Sequence, residues 1–110
     1  MSDRPPIAVS EDDWLIIRDT LRAHVPDCAV WAFGSRATGR AKPYSDLDLA
    51  INGGKPLGID LAAQLAEAFA ESDLPYKVDI VDWTTASDRF RKAIERDRVV
   101  VQTGIALTQE

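Results

Sequence analysis

Asp46 and Asp48, two residues apart in Ser45-Asp46-Leu47-Asp48-Leu49, are the side chains best equipped for chemistry in this chain. On an extended strand, positions i and i+2 project the same way from backbone sites roughly 6.5–7 Å apart. Two carboxylates so placed repel unless a cation sits between them. Mg²⁺ suits that arrangement, because it takes a few carboxylate oxygens and leaves room for phosphate and water. Upstream, the apolar run Ala29–Phe33 leads straight into Gly34 and Ser35. Glycine lets the backbone approach a ligand closely, and the amides and hydroxyl that follow can point at phosphate oxygens. Arg36, Arg40 and Lys42 are candidates for neutralising phosphate charge. A turn that holds phosphate beside acids that hold a divalent cation is the minimum equipment for a nucleoside triphosphate. The plainer alternatives are a tight strand-to-helix turn with solvated basic residues and the polar outer face of an edge strand.

A third carboxylate lies in Val78-Asp79-Ile80-Val81. Unpaired burial of a charge is costly, so an acid inside a β-branched run is seldom there for packing. Asp79 is therefore the candidate to join Asp46 and Asp48 and to take a proton from an attacking hydroxyl. Asp82 has the opposite parity and stands just before Thr84 and Thr85, which suits it to ending a strand.

The elements that must position these residues follow from periodicity. Residues 1–9, with Pro5 and Pro6, read as a flexible lead-in, and 10–110 as a single domain. Ser10 followed by Glu11, Asp12 and Asp13 predicts a helix start. Trp14, Ile17, Leu21 and Val25 supply that helix's apolar stripe, and Pro26 ends it. Ala29 to Phe33 predicts a buried strand, and residues 35–45, broken by Gly39 and Pro43, a short helical turn plus loop. Asp46 to Ile51 alternates strictly, with the acids and Ala50 on one face and Leu47, Leu49 and Ile51 on the other. A second helix is predicted from about Ile59 to Glu71, and a third strand over Tyr76–Trp83. A third helix is expected behind a Thr85–Asp88 capping box, with Val99–Val101 as a last strand and a fraying polar tail. The order predicts an α/β (α+β) fold, a small mixed sheet with helices packed on one side.

Composition narrows the function classes. A net charge of −5 argues against broad binding to DNA or RNA, which needs a basic surface. Cys28 is the single cysteine, so no disulfide forms within the chain and a reducing compartment is expected. The sequence has neither a bilayer-length apolar run nor a hydrophobic leader near its start, so the expected location is cytoplasmic with no membrane partner. His24 has no cysteine or histidine cluster around it for zinc, and there is no G-x-x-x-x-G-K-[ST] loop.

Gly34-Ser35-Arg36-Ala37-x-Gly39 followed by Ser45-Asp46-x-Asp48-Leu49 resembles the signature of the DNA polymerase β-like nucleotidyltransferase superfamily. The Val78–Val81 run and the short chain resemble its minimal nucleotidyltransferases (MNT), over roughly residues 10–102. The resemblance implies a mixed sheet flanked by helices and two Mg²⁺ ions, with Mn²⁺ as a substitute, held by Asp46, Asp48 and Asp79. It implies that Asp79 acts as base and that Gly34, Ser35, Arg36 and Ser45 bind the nucleotide. In such enzymes an acceptor hydroxyl attacks the α-phosphorus of ATP or another nucleoside triphosphate and pyrophosphate leaves. Larger relatives carry a second domain for the acceptor. The minimal form therefore implies a partner, a HEPN toxin whose tyrosine receives AMP in a type VII-like toxin–antitoxin pair. The competing expectations are a module that neutralises a HEPN partner by occlusion and a small-molecule, antibiotic-type nucleotidyltransferase. Trp14, Trp31 and Trp83 are candidates for either an interface or the core.

Overall fold

One short strand carries both of the opposed demands in this chain: Leu47, Leu49 and Ile51 seek the core, while Asp48 between them cannot. A computed structural model, which describes residues 4–104, resolves them by setting that strand inside a sheet with two different faces. The chain begins with helix α1 (Glu11–His24) and continues through strand β1 (Ala29–Phe33), the single helical turn α2 (Ser35–Thr38) and strand β2 (Leu47–Asn52). Helix α3 (Ile59–Ala70), strand β3 (Val78–Asp82), helix α4 (Asp88–Asp97) and strand β4 (Val99–Gln102) follow.

The strands lie in the order β3-β2-β1-β4. β1 is antiparallel to both β2 and β4, whereas β2 and β3 are parallel. Parallel neighbours need a crossover connection, and α3 supplies it. One sheet face carries the main core, where Val30, Ala32, Leu47, Leu49, Ile51 and Val78 meet α1 and α3 through Trp14, Ile17, Leu21, Leu65 and Phe69. Ser10 starts α1 as predicted, its hydroxyl accepting from the Asp13 amide at 3.1 Å.

Three expectations are corrected. The helices do not all lie on one side: α4 covers the opposite face, where Ile94 packs with Ala29, Trp31 and Ala50, flanked by Phe33, Val81 and Trp83. The highly amphipathic stripe of α4 needs an apolar surface, and the small Ala50 beside two aromatic rings provides it; Trp31 and Trp83 meet edge to face at 5.0 Å. The described part of the lead-in, residues 4–9, is docked rather than loose. Pro5, Ile7 and Val9 are buried, and the Ala8 amide donates to the Arg36 carbonyl at 2.8 Å. Finally, Ser87 rather than Thr85 caps α4, accepting from the Phe90 amide at 3.2 Å. Thr85 ends a 3-10 turn, Trp83–Thr85. The predicted fraying of the polar tail falls on residues 105–110, outside the described residues.

No helix among the described residues is long and apolar enough to cross a membrane. Cys28 is buried in the main core, and its thiol is pushed above its ordinary value first by burial and then by the charges of Asp27 and Asp82. The folded state therefore favours the neutral thiol. That contribution to stability is present below the unfolded thiol's pKa and is lost as pH rises through the folded one.

Two measurements check this architecture. Leu49→Ala, at a fully buried position, is expected to cost about 2–5 kcal/mol in urea unfolding. Alkylation of Cys28 by iodoacetamide at mildly alkaline pH is expected to run roughly tenfold or more slower in the native protein than in urea.

Candidate active site

The register of the sheet sets three side chains in a row on the face that α4 only partly covers. Phe33 of β1 is the cross-strand partner of Asp48 on β2, and Asp48 is the partner of Asp79 on β3. Parity gives Asp48 and Asp79 the same outward direction, because Leu47, Leu49, Val78 and Ile80 take the core side. Asp46 lies one residue before β2 and is exposed, so the strand begins one residue later than its alternation predicts.

Asp48 is half-buried, and its carboxyl is raised from the usual range. Burial is the largest cause, followed by the negative charges of Asp79 and Asp46 and by a hydrogen bond with the Asp79 carboxyl. Asp79 also meets the Lys77 ammonium at 3.3 Å. The three acids are thus electrostatic neighbours. Among the described residues, though, no three His, Cys, Asp or Glu side chains are grouped so as to hold a metal ion together. The donor set still fits a hard divalent cation: it is all carboxylate oxygen, and the like charges that destabilise one another here are what such an ion relieves.

Gly34 joins β1 to α2 with φ 76°, ψ −160°, a conformation that disfavours any side chain. A Cβ at Gly34 would run into Oδ2 of Asp48, so the turn lies directly against that carboxylate. The Gly34 carbonyl accepts from the Ala37 and Thr38 amides, each at 3.1 Å, and this sets Ser35 as the first residue of α2. Gly34, Asp48 and Asp79 therefore come together, and Ser35 follows Gly34 in the chain.

Arg36 is engaged elsewhere through its guanidinium. It is buried, 6% exposed, and its guanidinium donates to backbone carbonyls: Ser45 from Nε, Ala8 from Nη1, and Lys42 and Pro43 from Nη2. Ser45 likewise faces its own loop, its hydroxyl accepting from the Lys42 amide at 2.9 Å. In this structure both residues hold the loop between α2 and β2: the Arg36 guanidinium is engaged with backbone carbonyls, and the Ser45 hydroxyl accepts from a backbone amide.

Asp82 takes the strand-ending role. Its carboxylate accepts from the Leu57 amide at 2.9 Å and from the Thr84 amide and hydroxyl at 3.1 and 3.0 Å. His24 meets the Thr20 carbonyl through Nδ1 at 2.9 Å.

Two residues of the site escaped sequence reasoning. Lys77 just precedes β3, where nothing marked it as an acid's partner. Phe33 shares parity with Trp31, but its place beside Asp48 depends on a pairing register that the sequence does not display.

Comparison with known proteins defines the class. Residues 17–103 match the polymerase beta nucleotidyltransferase family, and the chain belongs to it. It is a homologue of the probable protein adenylyltransferase MntA of Haemophilus influenzae, 46% identical over 102 residues that span 93% of this chain and 90% of that protein. Among solved structures it resembles a toxin–antitoxin complex with AMP-PNP, at TM-score 0.72 and 25% identity, covering 86% of this chain and 76% of that one. A second likeness, at TM-score 0.67 and 22% identity over 90% of this chain and 76% of the other, is to a complex of MNT antitoxin with a tri-AMPylated Shewanella oneidensis HEPN toxin. At that identity it shows the shared fold alone. The family generally uses divalent metals.

Gly34→Ala provides a local check on this geometry. It is expected to cost about 1–3 kcal/mol in urea unfolding, from its positive φ and the clash with Asp48. It is also expected to weaken Mg·ATP binding in a titration under conditions where the variant stays folded.

Proposed function

We propose that this protein transfers AMP from ATP to a hydroxyl acceptor, a tyrosine of a HEPN-domain toxin, and thereby acts as an antitoxin. The observation that carries the reading is the cross-sheet pairing of Asp48 with Asp79 against the Gly34–Ser35 turn. The 46% identity to a protein named as an adenylyltransferase supports AMP as the transferred group.

In this reading Asp46, Asp48 and Asp79 would hold two Mg²⁺ ions, for which Mn²⁺ would substitute. Such ions would supply charge stabilisation for the phosphoryl oxygens and would lower the pKa of the attacking hydroxyl. Gly34 brings backbone close to the triphosphate with no side chain in the way, and the Ser35 hydroxyl adds a donor. Asp79 accepts the proton of the acceptor hydroxyl as that oxygen bonds to the α-phosphorus and pyrophosphate departs. Lys77, whose ammonium lies 3.3 Å from Asp79, helps to orient that carboxylate.

The test is incubation with α-labelled ATP, Mg²⁺ and a HEPN toxin. Wild type is expected to label the toxin, and Asp46→Asn or Asp48→Asn to lower the rate at least about 100-fold, beyond the loss typical of residues that only support metal ligands. Full toxin neutralisation by the double variant, with no label transferred, would replace catalysis with occlusion.

A further inference from the structure

We propose that Arg36 is a positioning residue for the carboxylate site, fixing the loop that delivers Asp46 and coupling it to the docked N-terminal segment. The inference rests on the nucleotidyl-transfer reading above but adds a residue whose effect passes through others. The loop concerned runs from Gly39, where a left-handed turn at φ 80° ends α2, to the start of β2.

Within it, the Ser45 amide donates to the Lys42 carbonyl at 3.0 Å and the Lys42 amide to the Ser45 hydroxyl at 2.9 Å, closing a small turn. Arg36 holds the same turn through carbonyls, with Nε at 2.8 Å from Ser45 and Nη2 at 3.0 and 3.4 Å from Pro43 and Lys42. Asp46 is the next residue in the chain. The third nitrogen, Nη1, reaches the Ala8 carbonyl at 2.6 Å, and the Arg36 carbonyl accepts from the Ala8 amide at 2.8 Å. The guanidinium plane lies 3.8 Å from the centre of the Tyr76 ring, whose hydroxyl donates to Asp13 of α1 at 3.1 Å.

One buried cation thus joins the N-terminal segment, α2, the loop before β2 and the segment before β3. Only a planar, forked donor can serve carbonyls in several directions while stacking on a ring. Lysine keeps the charge and loses the fork. The burial also explains why Arg36 has no free edge for phosphate: its partners are carbonyl dipoles, which need a fixed cation as much as the cation needs them.

Arg36→Lys separates positioning from simple anchoring. Hydrogen–deuterium exchange on the metal-free protein is expected to show residues 40–47 exchanging about tenfold faster, with β1 and α3 unchanged. Mn²⁺ binding followed by electron paramagnetic resonance is expected to weaken by about 10–100-fold, and kcat at saturating metal to return to within a few-fold of wild type. Tyr76→Leu, which removes the stacked ring and its hydroxyl bond to Asp13 but leaves every Arg36–carbonyl bond, is expected to move both readouts the same way by a smaller factor. It serves as the test variant if Arg36→Lys fails to fold. Unchanged loop exchange and metal affinity would overturn the inference. So would a uniform rise in exchange across the core, since that marks Arg36 as a general anchor. The exchange and Mn²⁺ arms give their answer whether or not wild type transfers AMP, so failure of the positioning role and failure of the transfer reading are told apart.

Discussion

Repulsion between Asp48 and Asp79 is the constraint around which this fold is arranged. The parallel pairing of β2 and β3 sets the two residues opposite one another, and like charges directly across a sheet destabilise it. Three features keep them there. The core side of both strands is saturated with aliphatic contacts, so neither can rotate its acid away without exposing Leu47, Leu49 or Val78. The α3 crossover fixes the relative direction of the strands. Lys77 offsets part of the charge at Asp79 from an exposed position. What remains uncompensated sits on Asp48, whose carboxyl is pushed up by burial and by its neighbours. Packing on the far side of the sheet is what holds the two acids side by side.

The division of the sheet into two faces explains why so small a chain can do this. The face toward α1 and α3 is a continuous apolar core. The face toward α4 is apolar only at one end, where Ile94 meets Ala29, Trp31 and Ala50. Toward the other end the same strands present Phe33, Asp48 and Asp79, with Phe33 and Phe90 in edge contact at 5.8 Å marking the transition. The helix therefore seals the second face without covering the acids, and stability and chemistry share one sheet without competing for the same residues.

Much of this was legible in the sequence, for physical reasons that differ by element. The alternation of Asp46 to Ile51 and the position of Asp79 among β-branched residues revealed parity, because a period of two leaves no freedom about which side chains share a face. Ser10 announced α1 through its cap. The placement of α4 was not legible: an amphipathic stripe states that a helix packs, and not on which face of a sheet. Nor was the docking of residues 4–9, since prolines exclude regular structure without preventing burial of Pro5, Ile7 and Val9. The burial of Arg36 was not legible for a related reason. An arginine after Gly-Ser looks like a phosphate ligand until long-range contacts with Ala8 and Tyr76 show where its guanidinium lies, and no local pattern encodes a partner that distant in sequence.

The case of Arg36 also bears on how a motif should be divided. Gly34 and Arg36 belong to one short signature, yet they act on opposite sides of the turn. Gly34 faces Asp48 and leaves space; Arg36 points back into the protein and fills it. The turn makes the separation: Gly34, before α2, has a non-helical backbone that sets it against Asp48, whereas Arg36 lies within the helical turn and is directed to Ala8 and Ser45. The loop that carries Asp46 is held on its inner side by Arg36. Neutral hydrogen bonds to several carbonyls would each be weak in such a place. A buried guanidinium supplies charge-assisted bonds to them together with a stacked ring beneath. The signature therefore encodes both a turn with no side chain against Asp48 and an internal brace behind it.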